Sequence, residues 1–238
     1  MENLFNNIFP PKCLFCGKIE AHLCKSCLTK CNTLLGGYCI VCDGKTRYGA
    51  THKKCYKKGV PVQVISCFQY EGLVRTCIKR SKYNSKLFSA MKNLVRHGLA
   101  IVSDEIFQIP KIREFIVIPV PSSQKKLTWR GFNQAEILAD IFSKKFKVKK
   151  DRSILTRVSD TKAQYEIGRE KRFENVKGVF RTSKLGAAKI KGRKVFLIDD
   201  ICTTGATLLE TSKVLYQAGA SQVRCFTLSK KLKYTQNN

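Results

Sequence analysis

No uninterrupted apolar run in these 238 residues approaches the ~20 needed to span a bilayer. No basic-then-apolar leader opens the chain. Membrane insertion and export are therefore not expected; a soluble cytoplasmic protein is. Acidic residues are scarce, 17 against 45 lysines and arginines, for a formal charge of +28. The excess is not confined to a tail, being +7 over residues 1–61 and +21 over residues 62–238. Such a chain attracts polyanions, although a general lysine bias would give the same excess. Disorder is excluded by an apolar content of 43%. Nothing in the sequence resembles a DNA-recognition helix, and no repeat occurs beyond the cysteine pairs described next.

Cysteine is abundant and unevenly placed: eight of twelve lie in the first 55 residues. Cys13-x-x-Cys16 with Cys24-x-x-Cys27 form one set; Cys39-x-x-Cys42 with His52-x-x-Cys55 form a second. The pairs are separated by 7 and 9 residues. Each turn points two ligands at one ion, and two turns complete a tetrahedron. Two structural zinc ions are expected. Closed quartets leave no open coordination position for catalysis. Cys31, four residues after Cys27, could replace it. Disulfides are the alternative, disfavoured in a reducing compartment. A small cation-rich segment also needs a staple, and metal supplies one. The division expected is a zinc-binding module at 1–61 and a larger domain at 62–238. Cys67, Cys77 and Cys225 lie in apolar surroundings and read as small buried hydrophobes.

Strands are expected at 62–69, 114–120, 154–158, 194–199 and 222–228, and helices at 73–83, 86–102, 134–146 and 205–217. Residues 159–178 read as a polar, mobile loop with room for one short helix. Alternating strands and helices imply an α/β fold, a parallel sheet with helices on both faces and ligands at the carboxyl ends of its strands.

Two loops carry chemistry. The run Val195-Phe196-Leu197-Ile198 ends in Asp199-Asp200, followed by Cys202-Thr203-Thr204-Gly205-Ala206-Thr207 and an amphipathic segment. A loop leading into a helix N-terminus is an anion site, because free N–H groups and the positive end of the dipole meet there. Gly205 lets backbone approach a phosphate, and the threonines supply hydroxyls. Two adjacent carboxylates suit vicinal sugar hydroxyls. Cys202 lies inside this loop, where its thiol could be accessible. The second loop runs from Pro119-Val120-Pro121 through Ser122, Ser123, Lys125 and Lys126 to Trp129-Arg130-Gly131-Phe132-Asn133-Gln134. It reads as a cationic loop leading into a helix, with Arg130 offering a planar fork to phosphate oxygens.

The stretch 195–208 resembles the signature with which type I phosphoribosyltransferases bind phosphoribosyl pyrophosphate (PRPP). The wider set is similar to the ComF (ComFC) competence family across about residues 5–230. That set comprises the cysteine pairs, P-V-P with R-G-F-N-Q, Gln164…Arg172…Asn175-Val176-x-Gly178-x-Phe180, and the DD-x-x-TTG-x-T loop. His52 stands where a cysteine is more usual. Purine-salvage relatives carry an aspartate base where this chain has Thr203, which argues against hypoxanthine or guanine as acceptor.

The resemblance implies a glycosyltransferase that displaces pyrophosphate from PRPP with Mg²⁺. Asp199 and Asp200 would hold the ribose hydroxyls and residues 202–207 the 5-phosphate. Ser122, Ser123, Lys125, Lys126 and Arg130 would hold the pyrophosphate, and Lys162, Gln164, Arg169 and Arg172 would lie on a closing lid. It further implies single-stranded DNA and other competence proteins as partners. A non-catalytic nucleic-acid-binding protein and a PRPP-sensing regulator on the same fold remain alternatives. Trp129, Phe132 and Tyr165 could stack on bases, or serve in packing. The acceptor and oligomeric state are not readable.

Overall fold

The computed structural model describes residues 11–34, 36–81, 85–159 and 169–232. Lys162, Gln164 and Tyr165 lie outside them. Five strands form one sheet: β1 (Gln63–Gln69), β2 (Ile116–Pro119), β3 (Lys149–Lys150), β6 (Lys194–Cys202) and β7 (Gln222–Lys230). Their order is β1-β7-β6-β2-β3, and every pairing is parallel. The expected α/β architecture is therefore what the chain adopts. A separate antiparallel pair joins β4 (Leu155–Arg157) to β5 (Phe180–Thr182).

A parallel sheet covered on both faces needs strands apolar on both sides. β6 meets this with Val195, Phe196, Leu197 and Ile198, each fully buried. Phe196 and Ile198 join one core with Phe68, Met91, Phe142 and Phe226. Val195 and Leu197 join the other, with Ile118, Leu208 and Leu215. The aromatic side is tight: Phe142 packs in tilted contact at 4.7–5.2 Å between ring centroids against Phe146, Phe196 and Phe226.

The helices are α1 (Lys25–Leu28), α2 (Gly72–Arg80), α3 (Ser85–Ile101), α4 (Ser103–Phe107), α5 (Gln124–Arg130), α6 (Gln134–Phe146), α7 (Arg169–Val176), α8 (Lys184–Ile190) and α9 (Ala206–Gln217). None of the described helices is long and apolar enough to cross a membrane.

The topology puts the site where it is. From β2 the chain passes through α5 and α6 to β3 on one side; from β6 it passes through α9 to β7 on the other. β2 and β6 are neighbours whose crossovers diverge. The crevice at their carboxyl ends is the topological switch point where such sheets bind ligands.

Two expectations need correction. Residues 124–130 are a helix rather than a loop. Its signals are local: Ser123 Oγ accepts the Lys126 N–H at 3.4 Å, and Gly131 ends it at φ 75°. Only one aliphatic residue, Leu127, interrupts its polar run, so no apolar periodicity marked it. β6 continues three residues beyond Asp199, because β7 keeps pairing with it as far as Cys202 opposite Lys230. The acid pair thus sits in the strand end, with its carboxylates half-buried. The polar stretch 159–178 contains the short helix expected there, α7, over its second half.

The cysteine-rich segment is bonded to the sheet. Leu34 N–H donates to Cys67 O at 2.9 Å and Gln69 N–H to Asn32 O at 2.9 Å. Thr51 N–H reaches Val62 O, also at 2.9 Å.

Candidate functional site

The two loops share one cleft of about 200 Å³. Val120, Ser122, Lys126 and Arg130 line it from the β2 side; Asp199, Asp200 and Thr207 line it from the β6 side. Arg130 Nε is buried and lacks a hydrogen-bond partner among the described residues. A buried, unpaired guanidinium donor is costly until an anion meets it. Asp199 Oδ1 accepts the Asp200 N–H at 2.9 Å, which orients the first carboxylate.

Gly205 caps α9 in the left-handed region at φ 81°, with no side chain on the cap. The first-turn N–H groups beyond Ala206 are thereby left open to an anion. Thr203, Thr204 and Thr207 are partly exposed around them, while Gly205 and Ala206 are buried backbone providers. Thr204 Oγ1 already accepts the Ala206 N–H at 3.4 Å.

Not every sequence candidate reaches the cleft. Lys125 is exposed but does not line it. Ser123 is buried and spent on capping α5. Cys202 is not accessible: it is 2% exposed and packs in the core with Leu197 and Leu208. Its contribution to the loop is backbone only. Arg172 lies on α7 as part of the expected lid stretch.

Two residues near the site, Arg157 and Tyr70, were not anticipated. Arg157, on β4, lines the cleft, and its guanidinium lies 5.4 Å from the Phe180 ring centroid. It had no sequence signal, since β4 belongs to a small separate sheet. Tyr70 follows β1; burial first, then the charge of Asp200, raises its phenol, while Arg75 opposes the shift. Asn133 and Gln134 also line the cleft, yet their groups are engaged structurally.

Asn133 Oδ1 accepts the Ala135 N–H at 3.1 Å and the Ser122 hydroxyl at 3.0 Å. Its Nδ2 donates to Val120 O at 2.9 Å. One side chain thus caps α6 and fixes the cationic loop to it. Gln134 Nε2 donates to Ile78 O at 3.0 Å and Ser81 Oγ at 2.9 Å, locking α6 onto the end of α2. Asn133→Ala should cost about 1–2 kcal/mol, from a lost cap and orphaned partners, and lower the thermal midpoint by roughly 2–8 °C. Asn133→Asp, which keeps the cap acceptor but loses the donor, should fall between. Equal melting of Asn133→Ala and the parent chain would contradict this role.

The metal candidates assemble as the spacing implied. Cys13, Cys16, Cys24 and Cys27 form one group, and Cys39, Cys42, His52 and Cys55 the other, each with its ligand atoms within 4.8 Å of one another. Cys13 and Cys27 sulfurs are 3.8 Å apart and Cys16 and Cys24 sulfurs 3.5 Å apart. Four sulfurs at zinc bond length stand about 3.8 Å apart in a tetrahedron. His52 Nε2 faces the Lys45 carbonyl at 3.1 Å and so carries the proton; Nδ1, 3.3 Å from Cys42 Sγ, is free to ligate.

Burial opposes ionisation of Cys13, but N–H groups of Cys24, Phe15 and Cys16 donate to it and bring the thiol down to about 6. The Gly44 N–H, against burial, lowers Cys42. Cys31 differs. Burial pushes its thiol up to about 11, and its Sγ donates to Cys27 O at 3.6 Å. It packs in the core and Cys27 takes the ligand position. Cys67, Cys77 and Cys225 are fully buried.

Comparison with known proteins agrees with this arrangement. Residues 129–238 match the phosphoribosyl transferase domain. Competence protein F of Haemophilus influenzae is 28% identical over 94% of this chain and 99% of its own. The DNA utilization protein YhgH of Shigella flexneri is 28% identical over 82% and 91%. Competence protein ComFC of Bacillus subtilis is 25% identical over 91% and 88%. Among solved structures, the allosteric regulatory enzyme of purine biosynthesis aligns at a TM-score of 0.38 and 18% identity, covering 59% of this chain and 26% of that one. A purine phosphoribosyltransferase of Pyrococcus horikoshii aligns at 0.31 and 13%, covering 70% and 87%. Scores this low carry no argument, and the fold rests on the sheet order above. With its paired cysteine clusters, its R-G-F-N-Q loop and its phosphoribosyl transferase domain over residues 129–238, the chain is similar to the competence protein F, ComFC and YhgH proteins along most of its length.

Proposed function

We propose that the cleft binds PRPP with Mg²⁺ and that the chain is a phosphoribosyltransferase that handles single-stranded DNA in the cytoplasm. The supporting observation is that an acid pair, an uncapped helix N-terminus and a buried unpaired arginine donor share one cleft at the switch point. In this reading residues 1–61 are a module stapled by two zinc ions, and residues 62–238 are the transferase domain.

Asp199 and Asp200 accept hydrogen bonds from the ribose hydroxyls. The first-turn N–H groups of α9, with Thr203, Thr204 and Thr207, hold the 5-phosphate. Arg130 and Lys126 neutralise the departing pyrophosphate, with Lys125 adding field from outside. The bond from the anomeric carbon to the pyrophosphate oxygen breaks and its electron pair leaves with pyrophosphate. The acceptor then bonds to the same carbon. Positioning and charge stabilisation suffice, so no nucleophilic side chain is needed. The carboxylates of Asp199 and Asp200 are hard oxygen donors of the kind Mg²⁺ takes and would help hold the ion, which would supply further charge neutralisation. Thr203 provides no base, which points to an acceptor other than hypoxanthine or guanine.

Pyrophosphate release from PRPP and Mg²⁺, with free bases, amines and single-stranded DNA as acceptors, tests turnover. Release that depends on an acceptor supports transfer. PRPP binding without release under any acceptor supports a sensor instead.

The DNA component is supported by the charge of +28 and by relatives whose names speak of competence and DNA utilization. Binding should be sequence-blind. Log affinity should fall linearly with log salt, with a slope of roughly −0.7 per phosphate contacted on a single strand. Fluorescence anisotropy with labelled oligonucleotides checks this; absence of binding even at low salt would make the charge purely compositional.

A further inference from the structure

The second metal cluster touches the phosphate loop. Ile40, between Cys39 and Cys42, is 3% exposed and packs in the same core as Cys202 and Leu208. A Cβ built on Gly205 would stand 2.8 Å from Ile40 Cγ1, 3.3 Å from its Cδ1 and 3.5 Å from its carbonyl oxygen. Glycine is thus required at 205 twice over, by its φ of 81° and by the side chain pressed against it. A second tie lies alongside. Asp43, immediately after Cys42, pairs with Lys230 at 2.7 Å, both side chains largely buried. Lys230 sits opposite Cys202 in the sheet, and the Lys231 N–H donates to Cys202 O at 2.9 Å. The first cluster contributes Cys13, Cys24 and Cys27 to the other core, with Phe68 and Cys77.

We propose that Ile40 is a positioning residue for residues 203–207, holding them in the phosphate-binding form, and that metal at Cys39, Cys42, His52 and Cys55 holds Ile40 in turn. The inference rests on the reading of that loop as the phosphate site. Its physical basis is direct contact. The loop's N–H groups serve an anion only if their backbone is fixed, and a methylene packed on Gly205 closes one side of its freedom. A metal-closed knuckle is a rigid support, whereas a released one can repack.

The test titrates PRPP with Mg²⁺ into the full chain by calorimetry, with zinc content and thermal midpoint read on the same samples. Ile40→Ala removes the contacting atoms. It should keep two zinc ions and bind PRPP about three- to thirtyfold more weakly, the range of mutations that act through a packed contact. Ile40→Val keeps Cγ1 and should bind within about twofold of the parent. Cys42→Ser should lose one zinc ion and weaken PRPP at least as much as Ile40→Ala. Parent-like PRPP affinity in Ile40→Ala, or in Cys42→Ser with one zinc ion gone, overturns the proposal while leaving the phosphate site intact. Absence of PRPP binding by the parent chain overturns both.

Discussion

Elemental analysis of the chain purified without chelator should return two zinc ions, and stripping them should collapse the region from Cys13 to Cys55. Each cluster brings four ligand atoms within 4.8 Å of one another. Structural zinc in small modules carries an apparent binding free energy of about 10–16 kcal/mol, comparable to the whole stability of a domain. The damage should spread. Leu23, Cys24 and Cys27 share a core with Phe68 and Cys77, and backbone bonds join Leu34 to Cys67 and Asn32 to Gln69. Chelation should therefore lower the thermal midpoint of the whole chain, by at least about 10 °C. Cys16→Ser should halve the metal content, because thiolate is replaced by a weak ligand. Zinc near zero in the untreated protein would overturn the assignment. Zinc near one would show the His52 cluster to be incomplete.

What was legible follows from where the determining physics is local. The ligand quartets were legible because a C-x-x-C turn fixes two sulfurs without help from elsewhere. Strands β1, β6 and β7 and helix α6 were legible because their apolar periodicity is strong. The end of β6 was not, since its extension past the acids depends on β7 pairing through Lys230. Helix α5 has a cap at each end but hardly an apolar stripe, so its sequence reads as loop. The loop before α6 was singled out for its cations, while its Asn133 and Gln134 act by bonding backbone and hydroxyls up to 56 residues away. Arg157 was missed because a short edge pair brings it to the cleft. The burial of Cys202 beside Leu197 and Leu208 has no local signature, since it depends on β6 extending beyond the expected end. The contact between Ile40 and Gly205 joins residues 165 positions apart in sequence and has no sequence signature.

The largest effect on ligand binding is expected from the acid pair. Asp199→Asn with Asp200→Asn keeps side-chain size and the parallel pairing of β6. It removes two charged acceptors for the sugar hydroxyls, each bond to a charged group being worth on the order of 1.5–3 kcal/mol. It also removes the hard donors that suit Mg²⁺. The central claim is that this cleft is a PRPP site. Its most direct test is a calorimetric titration of PRPP with Mg²⁺ into the parent chain and into this double variant. The account predicts saturable binding at one site per chain, weakened by at least about tenfold in the variant, with the melting curve preserved. No binding by the parent, or equal affinity in the two proteins, would contradict it.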